Sequence, residues 1–140
     1  MSIATWKREF FRMPSPKAKP ATVTRAVLRK WIGFREANLK KHHVWITDKL
    51  GILRDANDGL TILGHNTCAY CDRYFRSGYC NGCPLYQERE QRCFEPRGNS
   101  PYGEMLDRGY PEPMIALLEA ILAKQTAKPK PNTTQKRGKA

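Results

Sequence analysis

Apolar positions along the chain fall into a few short, differently spaced groups. Val23, Val27 and Trp31 recur every four residues, with Leu28 and Ile32 beside them, which is the stripe of an amphipathic helix. Thr22 or Thr24 is the expected cap, and Gly33 the expected stop near Ile32. A short second helix is expected over Arg35 to Lys41, with Leu39 turned inward. Val44-Trp45-Ile46 reads as a buried strand or strand-like segment. Gly51-Ile52-Leu53 and Leu60 to Leu63 flank Asp55-Ala56-Asn57-Asp58-Gly59. Those turn residues tolerate positive φ, so the segment predicts a β-hairpin. Ser100-Pro101 resembles a helix start that ends before Gly109. A last helix begins near Pro111 or Pro113, and Met114, Ile115, Leu117, Leu118, Ile121 and Leu122 form its apolar face.

The two ends carry no such pattern. Residues 1–20 combine Pro14, Pro16 and Pro20 with Lys17 and Lys19 and predict an extended arm, because proline opposes regular helix. Its Phe10-Phe11 pair either docks on the body or is incidental to a disordered arm. From Lys124 onward Lys, Pro, Thr, Asn and Gln dominate, and such a segment cannot offset its ordering entropy. The expected organisation is an arm over 1–20, an α+β domain over 21–123 and a disordered basic tail over 124–140.

Composition agrees with one small domain plus tails. The chain has 140 residues, 40% of them hydrophobic, and a net charge of +12. Residues 1–30 hold eight basic side chains against one acid, and residues 124–140 hold six against none. The middle is near neutral. A protein that sequesters acidic-binding partners through its own acidity is excluded, and so is a long multidomain enzyme. Basic ends either keep a small protein soluble or contact phosphate backbones and acidic partners. No apolar run is long enough for a signal peptide or a membrane span, so a cytoplasmic location is expected.

In a reducing compartment, clustered cysteines bind metal more often than they form disulfides. There are five: Cys68-Ala-Tyr-Cys71, then eight intervening residues, Cys80-Asn-Gly-Cys83-Pro84, and Cys93. A two-residue spacing lets both sulfurs of a tight turn face one ion. Two such turns give the four thiolates of a tetrahedral zinc site, with Zn–S of about 2.3 Å. Thiolates select zinc or iron–sulfur over magnesium and calcium. Reduced, metal-free thiols are the plain alternative. An iron–sulfur cluster is disfavoured, because its closely spaced Cys-x-x-Cys steps are missing. The expected set is Cys68, Cys71, Cys80 and Cys83 around one Zn²⁺, with Cys93 as a substitute. His65, three residues before Cys68, reads as a surface or capping residue. Such a closed site stabilises a fold and leaves no open position for hydrolysis.

Between the pairs, Arg73 and Arg76 interleave with Tyr70, Tyr74, Phe75 and Tyr79. Arginine among aromatics can pair phosphates and stack bases, and the aromatics can equally serve as local cover for the metal knuckle. Candidate nucleic-acid contacts are therefore Arg73, Arg76, Lys124, Lys128, Lys130, Lys136, Arg137 and Lys139. An enzyme is not expected. There is no His-x-x-x-His, no Gly-x-Ser-x-Gly and no phosphate-cradling glycine loop. A zinc-framed His–Asn nuclease would want its histidine between the Cys pairs, and His42-His43 lie upstream of both.

Leu28-Arg29-Lys30-Trp31-Ile32-Gly33, Asn38-Leu39, His42, the two Cys-x-x-Cys pairs with Pro84-Leu85, Cys93, Ser100-Pro101-Tyr102 and Pro113-Met114-Ile115 leading into Leu117-Leu118 complete a wider signature over residues 24–122. In these the chain resembles a family of small Cys-rich bacteriophage and prophage proteins. The resemblance implies a phage-type protein with a metal-bound body working in a host bacterial cytoplasm, and it implies no particular activity. The expected function is a zinc-stabilised binding protein that contacts DNA or RNA through its basic ends. The alternative is a module that modulates a host bacterial protein. Neither a membrane nor a small-molecule substrate is expected.

Overall fold

The first eleven residues fold against the expectation. Pro14 is the earliest proline, so nothing upstream of it forbids a helix, and Ile3, Trp6 and Phe10 recur at helical spacing. Helix α1 (Ile3–Phe10) forms there and buries those three side chains. Ser2 and Thr5 close its N-terminus reciprocally, each side chain accepting the other's backbone N–H. The extended-arm reading of residues 1–20 is thus corrected for α1. The aromatic pair is docked: Phe10 is buried in the core and Phe11, half-buried, packs against it.

The structure is a computed structural model that describes residues 1–47, 52–62, 68–74, 80, 82–91, 93, 100–101 and 109–127. Among these residues it is α+β, with six helices and a three-stranded antiparallel sheet. Helix α2 (Pro20–Ile32) starts earlier than its threonines suggested. Pro20 supplies the fixed φ of a first helical position, and Lys19 precedes it without a side-chain cap. Thr22 and Thr24 are therefore not caps. Gly33 does end the helix, with ordinary right-handed backbone. What requires glycine there is proximity: a Cβ would lie 2.6 Å from the Phe10 ring. Helix α3 (Glu36–Lys41) follows as expected.

Strands β1 (Val44–Thr47), β2 (Ile52–Asp55) and β3 (Leu60–Ile62) make one sheet in that order, so the predicted hairpin gains a third strand. Val44 lies opposite Asp55, and Arg54 opposite Leu60. Val44 and Leu53 are buried, and Trp45 on the other face is exposed. The turn is organised by Asp55, whose carboxylate accepts the N–H groups of Asn57 and Gly59 at 3.0 and 2.8 Å. Its second oxygen accepts the Ile3 N–H at 2.8 Å, so the hairpin carboxylate also holds the first turn of α1. A Cβ on Gly59 would sit 2.8 Å from that carboxylate.

Short helices α4 (Ala69–Tyr74) and α5 (Pro84–Arg89) carry the cysteine segment. Helix α6 (Glu112–Thr126) packs along α2. Val23, Val27 and Trp31 meet Met114, Ile115 and Leu118 in one core. Trp6 is stacked on Phe34 and donates its Nε1–H to the Gly33 carbonyl at 2.9 Å, which fixes α1 to the end of α2. Arg35 grips Glu112 with two hydrogen bonds of 2.8 and 3.0 Å, joining α3 to the start of α6. Lys124, expected to begin a disordered tail, lies in the last turn of α6. The predicted helix after Pro101 and residues 128–140 fall outside the described residues. No described helix is long and apolar enough to cross a membrane.

Candidate metal centre

Each cysteine is placed by a local rule. Cys68 immediately precedes α4 and Cys71 lies within it, one turn on. Cys83 caps α5, and Pro84 opens that helix with its preset φ. Cys80 and Cys83 are joined by a turn in which the Cys83 N–H donates to the Cys80 carbonyl at 2.9 Å. Cys93 follows α5 after Glu90, whose left-handed φ of 58° ends that helix. All five thiols are reduced and half-buried.

They converge. Cys68, Cys71, Cys80, Cys83 and Cys93 all line one cavity, with Tyr70, Leu85 and Tyr86 as its aromatic and apolar walls. Its inner space is about 30 Å³, on the scale of a single water or ion. The sequence-predicted four are brought together, and the substitute Cys93 lies with them. As they stand, no three His, Cys, Asp or Glu side chains among the described residues are gathered as a metal-binding set.

The electrostatics of the cavity are uneven. A hydrogen bond from Cys71 draws the Cys68 thiol down to about 6, and the Lys30 charge acts in the same direction against the cost of burial. Cys71, the partner in that bond, is raised. Burial pushes Cys83 up to about 11 and Cys93 to about 12. Cys68 is therefore drawn toward the thiolate, while Cys71, Cys83 and Cys93 are held as thiols.

Lys30 is the residue that sequence reasoning missed. It is only 4% exposed, on the stripe of α2 that faces the cysteines. Burial lowers its affinity for a proton, and the charges of Cys68, Cys71 and Cys93 oppose that. The signal was present in the spacing. Lys30 stands seven residues after Val23 and three after Val27, on the buried face of the helix.

Tyr70 ties the cavity to α2 as well. It is fully buried, and its hydroxyl shares a 2.5 Å hydrogen bond with Thr24. Thr24, set aside as a cap, is thus a structural anchor for α4.

The proposed nucleic-acid residues separate. The Arg73 guanidinium lies 5.9 Å from the Tyr74 ring, and its Nη1 is buried with no hydrogen-bond partner among the described residues. Lys124 donates to both oxygens of Glu88 at 2.8 and 2.9 Å, so its charge is engaged by the body. Arg76, Lys128, Lys130, Lys136, Arg137 and Lys139 lie outside the described residues. The chain matches no family model, no curated protein and no solved structure, so the fold and site rest on their own residues.

Proposed function

We propose that this protein is a small binding protein whose cysteine cavity is closed by one Zn²⁺ and whose basic surface contacts DNA or RNA. The observation that carries the reading is the convergence of five thiols, from two Cys-x-x-Cys turns and Cys93, on one ion-sized cavity. Cys68, Cys71, Cys80 and Cys83 would hold the ion, with Cys93 adjacent as the alternative fourth thiolate. When bound, zinc supplies structural cross-linking, because four thiolates leave no position for a water. Four thiolates around a divalent ion carry a net charge of −2, and the buried Lys30 ammonium stands where it offsets part of that. Lys30 also favours a thiolate at Cys68, the form in which sulfur binds metal.

A cross-link of this kind suits the segment it occupies. Helices α4 and α5 have six residues each, too few to be stable alone. The phage-type reading belongs to this proposal too, as does a reducing cytoplasm in which the thiols stay available.

Protein purified under reducing conditions and assayed by plasma emission should contain one zinc per chain. A strong chelator should lower its thermal transition and expose the thiols to a colorimetric thiol reagent. Metal-free protein with a transition indifferent to chelator would reject the zinc centre. Nucleic-acid contact is checked separately by binding to labelled oligonucleotides over a range of salt, where it should weaken steeply.

A further inference from the structure

The basic character of the N-terminal region was assigned by sequence to an arm, but folding gathers part of it into a cleft. Arg12, from the segment after α1, faces Arg25 and Arg29 of α2 across a space of about 440 Å³. Met13, Pro14 and Ala26 form its apolar floor. That volume lies within the range of small-ligand clefts.

The three arginines are exposed, and none has a carboxylate partner among the described residues. Glu9, the acid nearest Arg12 in sequence, is engaged by His42 and Lys41, and Glu36, the acid nearest Arg25 and Arg29, pairs with Lys40. Arg25 and Arg29 stand one turn apart on one helix face, an arrangement of like charges that disfavours the helix unless an anion sits between them. Guanidinium groups present paired donors that match phosphate oxygens, and the apolar floor offers a surface for a nucleoside.

We propose that this cleft binds the backbone of single-stranded nucleic acid, with Arg12, Arg25 and Arg29 on phosphates and a nucleoside against Met13, Pro14 and Ala26. The inference rests on the nucleic-acid reading above and moves its main contact from the C-terminal tail to the α1–α2 cleft.

The test is fluorescence anisotropy with a labelled oligothymidylate and the full-length protein, repeated over salt. Two variants are compared with it: R12Q/R25Q/R29Q, and a tail variant with Lys128, Lys130, Lys136, Arg137 and Lys139 all changed to Gln. Each single-strand phosphate contact contributes about 0.7 to the salt slope, so the cleft variant should lose about 2 of it. Its affinity advantage at about 50 mM over 200 mM salt then shrinks roughly 15-fold relative to the parent. All three arginines are exposed, so the thermal transition should stay unchanged or rise slightly, from relief of the Arg25–Arg29 repulsion, alongside that loss. Parent-like binding by the cleft variant, with loss in the tail variant, overturns the cleft and leaves the nucleic-acid reading intact. Absence of any binding by the unmodified chain at low salt overturns that reading itself. Tighter binding of duplex than of single strand through the same arginines overturns the single-strand assignment. Displacement of the oligonucleotide by polyglutamate of equal charge assigns the cleft to an acidic protein surface instead.

Discussion

The hydrogen bond between Thr24 and Tyr70 is a polar tie between α2 and the cysteine cavity, and its contribution can be worked out from burial. Both side chains are fully buried, so neither hydroxyl can turn to solvent when the other is removed. Thr24→Val strands the Tyr70 hydroxyl, and a buried donor without a partner costs about 1–3 kcal/mol. Tyr70→Phe strands the Thr24 hydroxyl, but that group sits inside a helix. It can swing back to the carbonyl four residues earlier, at Pro20, so its loss should be the smaller, about 1 kcal/mol. Changing both residues leaves an apolar pair of nearly the same shape with nothing stranded, and the double variant should lose little.

The signature is therefore non-additivity. The double variant should be more stable than the sum of the singles predicts by about 1–2 kcal/mol. For a chain of this size that difference moves the thermal midpoint by about 3–8 °C. Urea unfolding of the four metal-free proteins, followed by tryptophan fluorescence, gives the four free energies directly. Additive losses, or a Thr24→Val variant less damaged than Tyr70→Phe, would refute the reasoning.

Other consequences follow from single observations. Gly33→Ala pushes a methyl group into the buried Phe10 ring and should cost about 1–3 kcal/mol in urea unfolding; an unchanged midpoint would mean the ring yields freely. Asp55→Asn replaces an acceptor of the Ile3 N–H by an amide, so hydrogen exchange should show α1 opening while α6 stays protected. In metal-free protein, Cys68 is drawn below its ordinary 9.0 to about 6, so its contribution to stability is full above about pH 9 and disappears as pH falls toward 6. Cys83 and Cys93, raised to about 11 and 12, contribute below about pH 9 and lose that as pH rises through those values, so stability should peak on the mildly alkaline side; a peak below pH 6 would contradict this. Lys30→Met should weaken zinc binding by about 10–100-fold in competition with a chromophoric chelator, and Lys30→Arg by less.

What the sequence carried depended on the range of the signal. The stripe of α2, the Asp55–Gly59 turn and the apolar face of α6 are local patterns, and each produced its element. Convergence of the cysteines was legible because two-residue spacing constrains sulfurs without any knowledge of the fold. Helix α1 was hidden because the prolines and lysines of residues 12–20 set the character of the whole segment. The decisive Ile3, Trp6 and Phe10 stripe is only eight residues long, and its stability comes from partners distant in sequence, Gly33 and Asp55. Thr24 reads as a cap by residue type, and only the packing of α4 shows that its hydroxyl belongs to Tyr70.

Helix α2 links the two proposed sites, because its period of 3.6 residues separates its cations. Lys30 falls on the buried face, where the charges of Cys68, Cys71 and Cys93 oppose the cost of burying its ammonium. Arg25 and Arg29 fall on the exposed face, one turn apart, where the segment after α1 adds Arg12. Docking of α1 through Trp6 and Phe10 brings that segment into place, so the cleft exists only in the folded protein. If zinc sustains the α4–α5 segment against α2, the same ion supports the wall that carries the arginines. Chelation should then lower oligonucleotide affinity along with stability, although Arg12, Arg25 and Arg29 are not among the residues that line the metal cavity. Retention of full affinity in chelator, with the thermal transition lowered, would show that the α1–α2 cleft holds its shape without the cysteine segment.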